Sequence, residues 1–310
     1  METSPDPERA ASFRGVNLLS RLTGRPTTRF APSPTGLLHL GHVVNAIWTW
    51  GIARAAGGRV LLRIEDHDRG RCRPEFEVAI HRDLAWLGLE ADAGPVRQSD
   101  RPGRYAAALE RLAGVTRMYG CACSRKTIAT AAGGPIEGEE TRYPGTCREK
   151  ALGLGPGLGV RAVLPEEEIT FHDLRLGPIR QHPAHQCGDL LLRDQHGSWT
   201  YQWCVTVDDL EDGIDLVIRG EDILESTGRQ ILLGRMLGRA APAAFLHHPL
   251  IHGAEGRKLG KREGSEGVEA LRRAGVQPET VLGRAAWLSG LLEREEPVRA
   301  DDLARLFAER

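Results

Sequence analysis

The sequence predicts an α/β protein with a Rossmann-like, doubly wound parallel sheet. Strand-like and helix-like segments alternate from residue 27 onward, and 41% of the 310 residues are hydrophobic, enough for a sizeable core. No apolar run approaches the ~18–20 residues that a membrane span needs. This composition excludes a disordered chain and a coiled coil.

The first half of the fold follows from local patterns. Residues 27–31 form an expected strand, and residues 37–56 a helix that closes at a Gly-Gly pair. A second strand is predicted over 59–64 and a second helix over 74–87, where Pro74 suits the first helical turn. The order β-α-β-α is typical of a doubly wound sheet.

The second half is interrupted by residues 116–188, which contain three cysteines and two glycine-rich stretches and are predicted to be an insertion. The alternation of apolar residues over 199–207 predicts a strand, followed by a strand over 215–219 and a helix over 225–237. Short helices are expected over 268–274, 278–292 and 300–308. The predicted domains are a polar N-terminal extension (1–25), the first half of a nucleotide-binding catalytic domain (26–115), the insertion with a metal site (116–188), the second half of the catalytic domain (189–250), and a lysine loop with C-terminal helices (251–310).

The motif His39-Leu40-Gly41-His42 opens the first predicted helix. Helix N-termini present unpaired N–H groups and a partial positive charge, so they attract phosphates. Histidines at i and i+3 share one helix face, and Gly41 lets a flat ring approach the backbone. The alternative is that the two histidines only cap the helix.

The motif Lys258-Leu259-Gly260-Lys261-Arg262 lies in a glycine-rich loop. Only four of the 41 basic residues are lysines, and two of the four stand here, three positions apart. Two mobile ammonium groups can clamp a triphosphate and stabilise a transferring phosphoryl group. The alternative is a solvated basic loop.

Three of the six cysteines, Cys121, Cys123 and Cys147, lie close together in the sequence. Three thiolates with one further ligand make a tetrahedral zinc site. Spacing alone leaves open that they are unrelated core cysteines, which is also the interpretation of the isolated Cys72, Cys187 and Cys204.

The two phosphate-binding motifs, in this order on this fold, resemble class I aminoacyl-tRNA synthetases. Residues 29–36 (RFAPSPTG), 62–68 (LRIEDHD) and 217–222 (VIRGED) resemble glutamyl-tRNA synthetases, and the resemblance extends from about residue 28 to about 265. Gly260 and Arg262 depart from the family's usual serines. Only about 45 residues follow the lysine loop, too few for an anticodon-binding domain. The chain therefore resembles the short members of the family, the glutamyl-Q tRNA(Asp) synthetases.

This resemblance implies tRNA-independent activation of L-glutamate with ATP, then transfer of glutamate to the queuosine base in the anticodon of tRNA(Asp). It implies that His39, His42, Lys258 and Lys261 are catalytic and, with Gly41, bind ATP accompanied by Mg²⁺. The implied glutamate-binding residues are Arg29, Ala31, Ser33, Glu65, Tyr201 and Arg219. The implied ligands of a structural zinc are Cys121, Cys123, Tyr143 and Cys147.

Residue chemistry agrees with a glutamate pocket. Guanidinium groups at Arg29 and Arg219 suit carboxylates, and Glu65 can pair with the ammonium group. Which arginine binds which carboxylate stays open. With a formal net charge of −1, the chain has no strongly basic coat. Phosphates of an RNA loop would need local contacts, for which the candidates are Arg54, Arg229, Arg235 and Arg239.

Three alternatives remain. The chain could be a truncated glutamyl-tRNA synthetase core that charges a tRNA 3′ end, a non-catalytic sensor, or a small-molecule nucleotidyltransferase. The N-terminal residues lack the apolar core of a secretory signal, and the implied substrate is a tRNA, so we expect a cytoplasmic protein without membrane contact. We also expect a monomer.

Overall fold

The computed structural model describes residues 18–22, 24–134, 141–251 and 267–308. Its first half follows the predicted order: β1 (Thr27–Phe30), α1 (Leu40–Ala55), β2 (Arg59–Ile64), α2 (Pro74–Leu87) and β3 (Ala93–Arg97). The three strands form a parallel sheet in the order β1-β2-β3. The two strands and two helices predicted over residues 27–87 are thus confirmed, except that α1 begins three residues later than expected.

The described residues between 102 and 193 form α3 (Pro102–Ala113), β4 (Met118–Cys121), α4 (Arg125–Ala131), β5 (Gly159–Ala162), β6 (Ile169–Asp173), β7 (Gly177–Gln181), α5 (Pro183–Cys187) and β8 (Leu190–Arg193). Strands β4, β5 and β8 form an antiparallel sheet next to the clustered cysteines.

The remaining elements are α6 (Tyr201–Glu211), β9 (Leu216–Gly220), α7 (Thr227–Met236), β10 (Ala244–His248), α8 (Val268–Arg273), α9 (Pro278–Leu288) and α10 (Arg305–Ala308). A four-stranded sheet has the order β7-β6-β10-β9, so two strands of the predicted insertion extend it. Strand β9 lies beside β1, where Asp215 N donates to Thr27 O over 3.1 Å and Arg29 Nη1 to Ile218 O over 3.3 Å. This contact brings the two halves of the fold together.

The strand predicted over 199–207 is wrong, because most of these residues lie in helix α6. Residues Trp203 to Asp209 are buried without a break. A helix buried on all sides has no polar face, so its helical period is hidden, and the alternating aromatic and β-branched residues imitate a strand.

The C-terminal helices complete the core around α1. The rings of Trp48 and Phe307 lie 5.3 Å apart, and a Cβ atom at Gly51 would lie 2.3 Å from the Phe307 ring. The helix predicted over 278–292 ends at Leu288, and that predicted over 300–308 is a 3₁₀ turn followed by α10. Among the described helices, none combines the length and the apolar character needed to cross a membrane.

Candidate active site and metal centre

A cavity of about 620 Å³ lies where β1, β2 and β9 end and α1 begins. Ligands gather at such switch points of α/β sheets. Nine of the residues predicted from sequence line it: Arg29, Ala31, Ser33, His39, Gly41, His42, Glu65, Tyr201 and Arg219.

The two predicted lysines, Lys258 and Lys261, lie outside the described residues. The described residues on either side of this segment are both at the site. Ile251 lines the cavity. Gly267 pairs with His39 in an antiparallel bridge, and Val268 N donates to Leu38 O over 2.9 Å.

His39 and His42 cap α1 reciprocally. Nδ1 of His39 accepts from Gly41 N over 3.1 Å, and Nδ1 of His42 accepts from His39 N over 3.1 Å. The capping role that the sequence left as an alternative is therefore present, on two residues that also line the cavity. Because both Nδ1 atoms accept, each neutral ring carries its proton on Nε2, where it is a donor.

Gly41 is required by the cap. A Cβ atom here would lie 2.9 Å from Cε1 of His39, closer than such contacts occur. The glycine therefore lets the His39 ring lie over the first turn of α1.

Arg29 belongs to a buried network on the cavity wall. Its Nε donates to Asp209 Oδ1 over 3.0 Å, and Nη1 of Arg63 donates to the same oxygen over 2.7 Å. Nη2 of Arg63 donates to Glu65 Oε1 over 3.2 Å. Although burial raises the pKa of Asp209, the two arginines outweigh it and hold the pKa below its usual range. Asp209 is thus an ionised counter-ion.

Arg219 is buried without a carboxylate partner among the described residues. Its Nε donates to His247 Nε2 over 3.0 Å, Nη1 to Gln230 over 2.6 Å and Nη2 to Thr227 over 2.8 Å. Burial lowers its pKa, but an arginine stays charged at neutral pH. Arg219 thus presents to the cavity a cation that no carboxylate in the described part of the chain neutralises.

Tyr201 begins α6 and faces the same space. Burial, with a contribution from Glu65, raises the pKa of its phenol above the ordinary value. The hydroxyl is therefore protonated at neutral pH and is a hydrogen-bond donor.

Asn45 and His248 are among the lining residues that sequence reasoning did not assign to the site. Asn45 Nδ2 donates to His248 Nε2 over 3.0 Å, and His248 Nδ1 donates to Pro249 O over 3.0 Å. Burial lowers the pKa of His248 to about 4, so the ring is neutral. No motif marks either residue; the only signal is the position of Asn45 one turn after His42.

The predicted metal ligands lie together. The Sγ atoms of Cys121, Cys123 and Cys147 are all within 4.8 Å of one another. Tyr143 Oη lies 3.5 Å from Cys121 Sγ, and Cys123 Sγ lies 3.5 Å from Cys147 Sγ. A tetrahedral zinc with bonds of about 2.3 Å needs donors separated by about 3.8 Å. The spacing of the three thiols fits a zinc ion, and the Tyr143 hydroxyl lies next to one of them.

Neighbouring residues support this cluster. The Arg161 guanidinium lies 3.6 Å from the Tyr143 ring centroid, and its Nε donates to Cys121 Sγ over 3.4 Å. Burial raises the pKa of Cys121, but the hydrogen bonds with Tyr143 and Arg161 outweigh it and lower the pKa overall. A lowered thiol pKa favours the thiolate that binds metal, whereas burial raises the pKa of Cys123 to about 11 and also raises that of Tyr143.

The four arginines suggested for RNA phosphates are all engaged within the protein. Arg229 is buried. Arg54 pairs with Asp92 and Arg235 with Glu167, and Arg239 donates to backbone oxygens. These partners reduce what each can offer a phosphate.

Comparisons with known proteins place the chain in a family. The model for the catalytic domain of class I tRNA synthetases for E and Q matches residues 26–307. A glutamyl-Q tRNA(Asp) synthetase of Symbiobacterium thermophilum is 45% identical over 298 residues, covering 90% of this chain and 91% of its own. A glutamate–tRNA ligase of Chelativorans is 42% identical over 272 residues, covering 85% of this chain but 57% of its own.

Among solved structures, the glutamate–tRNA synthetase of Elizabethkingia anophelis superposes with a TM-score of 0.75 at 27% identity, over 91% of this chain and 65% of that one. The chain therefore spans about two thirds of the length of that longer enzyme, whereas it matches the glutamyl-Q tRNA(Asp) synthetase almost end to end. The predicted fold class holds in its coarser form, an α/β catalytic domain with parallel strands. The chain belongs to the glutamyl- and glutaminyl-tRNA synthetase family of class I, together with its short glutamyl-Q tRNA(Asp) synthetase members.

Proposed function

We propose that this enzyme activates L-glutamate with ATP and transfers the glutamyl group to queuosine in the anticodon of tRNA(Asp). The observation that carries the proposal is the single cavity where the histidine motif at the start of α1 meets Arg29, Glu65, Tyr201 and Arg219. The near end-to-end match of this chain to a glutamyl-Q tRNA(Asp) synthetase supports transfer to queuosine as the second step.

In the first step, the glutamate α-carboxylate attacks the α-phosphorus of ATP. The bond to the bridging oxygen breaks, and pyrophosphate leaves with that electron pair. The Nε2–H groups of His39 and His42 are donors for phosphate oxygens, and Lys258 and Lys261 supply positive charge. Catalysis of this kind depends on positioning and charge stabilisation rather than covalent participation. Mg²⁺ accompanies the ATP.

The cavity charges favour glutamate over an uncharged amino acid. Arg219 has no ion-pair partner among the described residues, so a substrate carboxylate can supply a negative charge there. Arg29 is partly neutralised by Asp209, and the Glu65 carboxylate can take the substrate ammonium. Ala31 and Ser33 complete the wall.

Zinc would be held by Cys121, Cys123, Tyr143 and Cys147. The ion would link the chain after β4 to the segment before β5, a stabilising role, since four protein ligands leave no open position. None of these residues lines the cavity, which agrees with a structural role.

In the second step, a nucleophilic oxygen of queuosine attacks the activated carboxyl carbon, and AMP leaves. No anticodon-binding domain is needed if the anticodon loop itself enters the cavity, because bases of single-stranded loops can be splayed out. The proposed partners are therefore ATP, glutamate and the anticodon loop of tRNA(Asp), bound by a monomer.

The test is transfer of labelled glutamate to tRNA(Asp) with and without queuosine. We expect label on the modified tRNA alone, and glutamate-dependent ATP–pyrophosphate exchange without tRNA. Label on the 3′ end of unmodified tRNA(Glu) would instead identify a short aminoacylating enzyme. Absence of exchange with glutamate would refute the activation step.

A further inference from the structure

A buried chain of hydrogen bonds leads to Arg219 from behind the cavity wall. His247 Nε2 accepts from Arg219 Nε over 3.0 Å, and His247 Nδ1 lies 2.7 Å from Asp173 Oδ2. Asp173 and His247 are both 0% exposed. Asp173 ends β6, His247 lies on β10 and Arg219 on β9, so three adjacent strands carry the chain.

The contacts fix the protonation state of the imidazole. Nε2 accepts from Arg219, and Thr227 Oγ1 lies 3.1 Å from it, so this nitrogen carries no proton. The ring proton is therefore on Nδ1, which donates to Asp173. A proton on Nε2 would point at the Nε–H of Arg219. Burial lowers the pKa of His247, in agreement with a neutral ring.

We propose that Asp173 and His247 are positioning residues that hold the Arg219 guanidinium in the orientation that binds a substrate carboxylate. The inference rests on the proposed function, in which Arg219 binds glutamate. An arginine side chain has several rotatable bonds, and fixing it before the substrate arrives reduces the entropy lost on binding. Contacts at Nε, Nη1 and Nη2 define both the plane and the direction of the group.

Asp173 also has a structural task. Its Oδ1 accepts from the backbone N–H groups of Arg175 and Leu176 over 3.0 and 2.9 Å, and its Oδ2 accepts from His247 N over 3.1 Å. Replacing Asp173 would disturb this turn together with the imidazole. The decisive variants are therefore at His247.

Two amide substitutions separate the two contacts of His247. In His247→Asn the side-chain amide can occupy the place of Nδ1 and keep the bond to Asp173. No atom then lies at the Nε2 position to accept from Arg219. In His247→Gln the longer amide can place its oxygen near Nε2 and accept from Arg219. The matched control is His172→Asn, an exposed histidine on the same strand as Asp173.

In glutamate-dependent ATP–pyrophosphate exchange, we expect His247→Asn to raise KM for glutamate about tenfold, the effect of one weakened charge-assisted contact. KM for ATP should stay within about twofold, and His247→Gln should recover most of the loss. Partial unfolding lowers the rate but not KM, because KM does not depend on enzyme concentration. His172→Asn should match the unchanged enzyme.

An equal rise in the KM for glutamate in both variants, or no rise in either, would overturn the inference. Arg219→Lys in the same assay separates this from failure of the proposed function. If Arg219→Lys leaves the KM for glutamate unchanged, Arg219 does not bind glutamate. The positioning role and the glutamate-binding role in the proposed function are then both wrong. If Arg219→Lys raises it and His247→Asn does not, only the positioning role is wrong.

Discussion

Arg63 Nη1 donates to Asp209 Oδ1 over 2.7 Å, and the Arg63 side chain is completely buried. Burial alone would lower the pKa of Arg63, but Asp209 and Glu65 outweigh it and raise the pKa. The carboxylate of Asp209 thus stabilises the charge of the buried Arg63 beneath the cavity. The same carboxylate also accepts from Arg29.

Asp209→Asn should destabilise the fold by about 3–5 kcal/mol, because removing one partner leaves a buried charge uncompensated. The folded-state pKa of Asp209 lies below its unfolded value, so its contribution is present above about pH 4 and is lost as pH falls through the folded pKa. Urea denaturation at several pH values measures this, with the exposed Asp301→Asn as control. If the difference in free energy of unfolding between Asp209→Asn and the unchanged protein disappears between pH 7 and pH 5, Asp209 is not the ionised counter-ion described here.

Gly41→Ala should reduce adenylate formation roughly 10–100-fold, because a Cβ atom 2.9 Å from His39 Cε1 displaces the ring from its capping position. Pyrophosphate exchange measures the loss. Gly103→Ala, where a Cβ atom meets nothing within 4 Å, should leave the rate unchanged. Equal rates in the two variants would show that the His39 position is not needed.

Lys261→Ala should lower adenylate formation roughly 10²–10³-fold, an effect of ~3–4 kcal/mol that is typical of losing one electrostatic donor. The exposed Lys126 is a suitable control, since it lies on α4 away from the cavity. The measurement is again pyrophosphate exchange at saturating ATP. An unchanged rate in Lys261→Ala would refute its role.

Gly188→Ala should weaken zinc binding. Gly188 has φ +69°, and a Cβ atom there would lie 2.1 Å from the Tyr143 carbonyl oxygen, so Tyr143 must shift. Gly213→Ala is a matched control with φ +65° and open space around the Cβ position. Both variants carry the cost of a side chain at a positive φ. Only Gly188→Ala should lower the zinc content measured by metal analysis. Equal zinc content in the two variants would show that zinc binding does not depend on the position of Tyr143.

Asp83→Asn should raise the melting temperature at pH 7 by a few degrees. Asp83 is fully buried, and its carboxylate oxygens accept no hydrogen bond from the described residues. Burial raises its pKa, and Arg82 and Arg272, each 3.7 Å away, offset this only in part. A raised carboxyl pKa destabilises the fold above the folded pKa and has no effect below the unfolded value of about 3.9. The gain should therefore vanish near pH 3.5, and a lower melting temperature at pH 7 would contradict the prediction.

The sequence predicts helices α1 and α2 well because the start of each has a local signal. Pro74 marks the start of α2, and His39 and His42 mark the start of α1. The helix over 201–211 was missed because residues 203–209, about two turns of it, are buried without a break, which hides the periodic pattern. Local patterns cannot show that a residue such as Trp203 is enclosed by parts of the chain far away in sequence.

The residues that support the cavity were missed for a related reason. Asp209 lies 180 positions from Arg29 along the chain, and Asp173 lies 74 positions from His247. Aspartates in ordinary sequence contexts carry no mark of such partners. The residues facing the substrate belong to motifs, whereas those behind them are identified only by three-dimensional contact.

The pairing of β6 with β10 limits the modularity of this enzyme. Residues 116–188 look exchangeable in sequence, yet they include Asp173, which binds both the backbone and the ring of His247. A chimaera that receives this whole segment from a relative also receives a new partner for His247. Transplants that keep Asp173 should therefore retain the native glutamate affinity, whereas those that bring a different residue to position 173 should require a compensating change at position 247.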